Sequence, residues 1–125
     1  MKYLGIDYGE KNVGIAVSDD GGNLAFAKIV LDNDGKLLEN ILRIIEEDKV
    51  EVIVMGKSIN LNGEENLIQK KILEFKKILE ENVKIPIHFE PEFLTSMEAR
   101  RLQEGIKKID ASAAALILKS YIEHA

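Results

Sequence analysis

The sequence predicts an α/β fold: three antiparallel-connected strands, then two crossover strands, in one mixed five-stranded sheet flanked by helices. Three observations predict it. Three strand-like runs come first, separated by turn sequences. After Gly35 the apolar period changes from alternation to helical spacing. From there strand-like and helix-like segments take turns, the pattern of crossover units. The 125 residues, 46% of them hydrophobic, fit a single domain over 1–125 with a workable core.

Each element has its own signature. Lys2 to Tyr8 and Asn12 to Ser18 read as strands, and "DDGG" at Asp19 to Gly22 is a turn. Leu24 to Leu31 gives the third strand, and "DNDG" at Asp32 to Gly35 stops the sheet. Leu38, Ile41, Leu42 and Ile45 recur at helical spacing, which predicts a helix within Gly35 to Asp48. "VEVIVMG", Val50 to Gly56, is dense in β-branched residues and predicts a strand, followed by a loop over Lys57 to Gly63. Ile68, Ile72, Phe75 and Leu79 make the apolar stripe of a second helix. "KIPIHF", Lys84 to Phe89, is a short strand that Pro86 assigns to a sheet edge or strand start. Thr95 and Glu98 form a capping box for a helix that includes Ala99 and Leu102 and ends near Gly105. A last helix, from about Asp110 to Ile122, places Ala114, Leu118 and Tyr121 on one side.

Composition narrows the chemistry. The chain has no Cys, which removes thiolate metal sites and cysteine nucleophiles. His88 sits within a strand and His124 in a tail expected to fray, so a zinc hydrolase has little support. No G-x-S-x-G, G-x-G-x-x-G or P-loop pattern occurs. No basic start followed by an apolar stretch marks a signal peptide, so a cytoplasmic protein without membrane association is expected. The net charge of -5 argues against coating long nucleic acid by charge alone. Local basic pairs remain: Arg100-Arg101 and Lys107-Lys108 flank the acids considered next, whereas Lys70-Lys71 and Lys76-Lys77 read as the wet face of a helix.

Those acids are Asp7, Glu92 and Asp110. Asp7 ends the first apolar run, with Gly5 and Gly9 as its neighbours on one strand face, which leaves room above the carboxylate. Glu92 follows the short strand, and Asp110 opens the last helix. Ligands of open α/β sheets sit beyond strand ends. If these ends converge, three carboxylates share one space and need a counter-charge, which Mg²⁺ or Mn²⁺ supplies. Each acid also has a plain structural role open to it: an Asx-turn for Asp7, an ordinary loop acid for Glu92, a helix cap for Asp110.

"GIDYGEKNVGIAVSD" (Gly5 to Asp19), "VIVMGKSINLNGE" (Val52 to Glu64), "PEFLTSMEARRL" (Pro91 to Leu102) and "IDASAAALILKSYI" (Ile109 to Ile122) together resemble the motifs of the YqgF family. This is the RuvX-type, Holliday junction resolvase-like family, usually described as pre-16S rRNA nucleases, within the RNase H-like superfamily. The resemblance spans nearly the whole chain. It implies an RNase H-like fold and a metal-dependent nuclease, with Asp7, Glu92 and Asp110 as active-site acids and metal ligands. Gly9, Lys11, Arg100, Arg101, Lys107 and Lys108 become candidates for contacts to the nucleic-acid backbone. It implies precursor ribosomal RNA as partner and branched DNA as the older alternative, handled by a monomer or weak homodimer. The chain departs from the family pattern at Pro91, where Asp is frequent, and at Phe93, where Arg is frequent. The superfamily also contains sugar kinases and actin-like ATPases with a similar Asp-x-Gly opening. A binding module that has lost turnover is an alternative of another class.

Overall fold

β1 (Tyr3–Tyr8), β2 (Asn12–Ser18) and β3 (Ala25–Asp32) form an antiparallel meander. β4 (Val52–Lys57) then pairs parallel with β1, and β5 (Ile87–Pro91) parallel with β4. The sheet order is β3-β2-β1-β4-β5, the mixed five-stranded α/β sheet that the sequence predicts. Helices α1 (Leu37–Glu47), α2 (Leu67–Asn82) and α3 (Ile109–His124) flank it. The computed structural model describes residues 1–57, 67–91 and 109–124. The predicted Lys57 to Gly63 loop, beyond Lys57 itself, and the helix expected from Thr95 lie outside them.

Alternation along the central strands builds two cores. Leu4 and Ile6 of β1, with Ile15, Ile53 and Met55 beside them, meet Ile41 and Ile44 of α1 and Ile72, Phe75 and Leu79 of α2. On the other face Ala16, Val52 and Val54 meet Ala114, Ile117 and Leu118 of α3. Buried on both sides, β4 must be apolar throughout, hence "VIVM". Each fully buried aliphatic side chain contributes about 1.5–3 kcal/mol.

The structure shifts three expectations. The deepest line of α1 is Leu37, Ile41 and Ile44, with Leu38 and Ile45 only partly buried, so the helix is turned slightly from the predicted stripe. β5 starts at Ile87 rather than Lys84: Pro86 has no N–H for the ladder, and its carbonyl accepts from Ile53 N at 2.9 Å just before the strand proper. The last helix continues to His124, so this residue belongs to an ordered turn and not to a fraying tail.

β3 is one outer edge of the sheet and keeps Phe26, Ile29 and Val30 largely exposed. Its register with β2 slips between Ile15 and Ala16, which face Ile29 and Ala27, so Lys28 is an extra residue with no opposite number. The Lys28 ammonium instead reaches Asp48 at the end of α1, 3.0 Å away.

Candidate active site at the carboxyl ends of the central strands

Asp7 pairs with Gly14 near the carboxyl end of β1 and is half-buried. Ile6, Met55 and Phe89 stand side by side across β1, β4 and β5. One residue further, Asp7, Gly56 and Glu90 are therefore level, on the face that α3 covers. β5 ends at Pro91, and the chain goes directly on to Glu92, which lies outside the described residues.

The space around Asp7 differs from expectation. A Cβ on Gly5 would stand 2.9 Å from the Ala114 carbonyl oxygen and 3.0 Å from Leu118 Cβ. Gly5 thus admits the backbone of α3 and not a ligand. Gly9 is closed likewise, since a Cβ there would meet the Asn12 carbonyl at 2.5 Å in the turn between β1 and β2. The Asn33 side-chain amide donates to the Gly9 carbonyl at 2.7 Å and ties this turn to the end of β3. Lys11 is exposed at the tip of the same turn, and its carbonyl accepts from Asn33 N at 2.9 Å.

Asp110 is the second residue of α3, and its side chain lies outside what is described. Its backbone is one turn, about 6 Å, from Ala114 at the Gly5 crossing. Asp7 is two strand residues, about 7 Å, from Gly5 on β1. Among the described residues no group of three or more His, Asp or Glu side chains is placed to hold a metal ion. Arg100, Arg101, Lys107 and Lys108 lie outside the described residues.

On the opposite face, Tyr8 and Phe75 pack with ring centroids 5.1 Å apart in an open cleft of about 310 Å³. Lys71 lines it and faces Glu10 at 3.5 Å. On α2, Lys76 is not merely wet: its ammonium bonds Glu80 at 2.8 Å and lies 5.5 Å from the Phe89 ring centre.

The structure adds a cluster that the sequence reading missed. Glu90 is only 4% exposed. Ser120 Oγ donates to its Oε2 at 2.6 Å, and His124 Nε2 approaches Oε1 at 2.8 Å and Oε2 at 3.0 Å. The hydrogen bond to Glu90, followed by its charge, holds the His124 pKa above the ordinary value. Tyr121 meets the His124 ring edge-on and stacks on His88, both at 5.8 Å, and touches Tyr3. Burial and then the neighbouring Tyr3 and Glu90 push the Tyr121 phenol upward. The available signal was the i, i+4 spacing of Ser120 and His124, but the predicted ends at Phe89 and Ile122 left Glu90 and His124 outside their elements.

The sequence is 36% identical over 135 residues to a protein of Maridesulfovibrio salexigens, covering all of both chains, and 34% identical over 134 residues to one of Nitratidesulfovibrio vulgaris, covering 98% of this chain and 93% of the other. Each of these relatives is described as "Putative pre-16S rRNA nuclease". The structure of T. thermophilus RuvC in complex with Holliday junction substrate superposes with a TM-score of 0.67 at 15% identity, covering 98% of this chain and 94% of that one, which speaks for a shared fold. A family model described as "RuvX: Holliday junction resolvase" matches residues 1–124, and with relatives of this identity along nearly the full length, the chain belongs to the RuvX family, within the RNase H-like superfamily.

Proposed function

We propose that the chain is a divalent-metal-dependent endonuclease that hydrolyses phosphodiester bonds in the 5′ maturation of precursor 16S ribosomal RNA, with residues 1–125 acting as one nuclease domain. The observation that carries this reading is the position of Asp7. It is the penultimate residue of the central strand, level with the end of β5 that leads into Glu92, on the face crossed by the helix whose second residue is Asp110. Family membership supports nuclease chemistry, and the relatives' descriptions supply the RNA.

The donor chemistry fits a hard cation. There is no Cys, His124 is engaged by Glu90, and His88 is stacked on Tyr121, which leaves oxygen ligands for the site. Asp7, Glu92 and Asp110 would hold Mg²⁺ or Mn²⁺. When bound, the cation supplies Lewis acidity and a more acidic water. Asp7 would be the ligand that the central strand itself holds in place. Lys11, the Gly9 turn and the basic pairs Arg100-Arg101 and Lys107-Lys108 contact phosphates, which positions a strand without reading its bases.

Replacing Asp7 with Asn tests the assignment. The folded variant loses Mg²⁺-dependent cleavage of precursor RNA; retained cleavage would remove Asp7 from the mechanism. The description of the family model favours a second reading, branched DNA as substrate, so a four-way DNA junction belongs in the same assay. Binding of RNA without cleavage of either substrate by the unaltered protein would establish the binding-module alternative, consistent with Pro91 and Phe93. Saturable, Mg²⁺-dependent ATP binding in calorimetry would favour the kinase-like alternative.

A further inference from the structure

We propose that Glu90, Ser120 and His124 are positioning residues, a clamp between β5 and α3 that fixes the end of β5 and the helix end carrying Asp110 relative to Asp7. The proposal rests on the nuclease reading above. Its ground is the buried Glu90 carboxylate and its hydrogen bonds to the last two turns of α3.

Among the described residues, the buried packing of α3 on the sheet is built on the apolar Ala114, Ile117 and Leu118. Adhesion alone would be served by another aliphatic side chain at position 90, since a buried charge must be offset by ideal partners before it adds stability. What a charged, bidentate contact adds is geometry. Apolar surfaces slide at little cost, whereas these donors match the carboxylate only in one placement of the helix. Tyr121 also packs edge-on against the His124 ring.

A helix is a stiff rod, and α3 is held at two places. One is the Gly5 crossing, where the Ala114 carbonyl and Leu118 approach the strand closely. The other is Glu90, which grips Ser120 and His124. A rod held at two points has its far end fixed, and Asp110 is in that end. The same clamp holds the last strand residues before Glu92, two positions beyond Glu90. One contact therefore sets both the end of β5 and the helix end that carries Asp110. Partners of metal-site residues act in this way elsewhere, and their loss weakens metal affinity by about 10–100-fold.

The test uses the full chain and Mn²⁺ alone, with binding followed by water-proton relaxation, and Mg²⁺-dependent cleavage as the second readout. His124→Leu removes the donor at a largely exposed position, Ser120→Ala makes a milder cut, and His124→Gln restores a donor. Ile117→Val loosens the same helix without touching the clamp. The expected result for His124→Leu is Mn²⁺ binding weakened by about tenfold, with a matching rise in the Mg²⁺ needed for half-maximal cleavage. The maximal rate at saturating metal is retained, Ser120→Ala moves both values in the same direction, and His124→Gln recovers most of the affinity. Ile117→Val lowers thermal stability and leaves Mn²⁺ affinity unchanged. Unchanged Mn²⁺ binding in His124→Leu, or an equal loss in Ile117→Val at matched stability, overturns the proposal and leaves a structural staple. Should Asp7→Asn bind Mn²⁺ and cleave as the unaltered protein does, Asp7 leaves the metal site; should the unaltered protein cleave neither substrate, the nuclease reading fails; both results are separable from failure of the clamp.

Discussion

Placing a methyl group on Gly5 probes the closest approach between helix and sheet. In Gly5→Ala the new carbon would stand 2.9 Å from the Ala114 carbonyl oxygen, 3.0 Å from Leu118 Cβ and 3.6 Å from Ala16 Cβ. The oxygen belongs to helix backbone and cannot rotate aside. Relief requires α3 to move outward as a body by a few tenths of an ångström, which loosens Ile117 and Leu118 as well. Overpacking of this kind costs about 1–3 kcal/mol. The glycine φ is not positive, so alanine fits the backbone itself and stiffens the unfolded chain, returning about 0.4–1 kcal/mol. The expected net loss is about 1–2 kcal/mol, from combining the two effects. Gly35→Ala is the matched control, because nothing lies within 4 Å of its added methyl. Urea unfolding followed by far-ultraviolet circular dichroism suits a chain with no Trp. Equal midpoints for Gly5→Ala and Gly35→Ala would refute the close-approach argument.

Two further outcomes follow from charges. The His124 pKa is raised in the folded state, so the stabilisation from this pair is complete below about 6.5, the ordinary histidine value, and fades as pH rises through the folded pKa. Thermal midpoints of the unaltered protein between pH 5.5 and 8.5 should fall more steeply than those of His124→Gln; parallel curves would show that the pair contributes nothing on titration. In RNA binding across a salt series at fixed Mg²⁺, Lys107→Ala with Lys108→Ala should flatten the slope by about 0.7 per lost phosphate contact. Lys70→Ala with Lys77→Ala is the remote control, preferable to a pair containing Lys76, which is engaged by Glu80 and Phe89. Equal slopes in both double variants would remove Lys107-Lys108 from the interface.

The sheet was legible because its signals are local and repeated. Alternation in "KYLGIDY" and the β-branched run in "VEVIVMG" dictate which strands are buried, and the turn at "DDGG" dictates a hairpin before any tertiary contact is known. Helix rotation was less legible, since Leu37 and Leu38 both satisfy an apolar stripe and only packing on the sheet selects Leu37. Asp7 was visible as a charge closing an apolar run. The role of Gly5 was not, because a glycine that leaves room for a ligand and one that admits a helix look alike in sequence. Glu90 was hidden for a related reason. An acid at a strand end reads as solvated, and its burial depends on Ser120 and His124, thirty or more residues away.

The extra residue in β3 has a consequence for how molecules of this protein meet one another. An outer strand with Phe26, Ile29 and Val30 uncovered would ordinarily invite a neighbour to continue the sheet. The slip at Lys28 divides that strand into Ala25–Ala27 and Ile29–Asp32, whose exposed N–H and C=O groups are out of step with each other. A second chain laid alongside can match one stretch or the other, but not both in a single straight course. At the kink the Lys28 ammonium turns to Asp48 at the end of α1. The margin of the sheet thus works like a zip with a tooth out of line: it can be started, and it will not run.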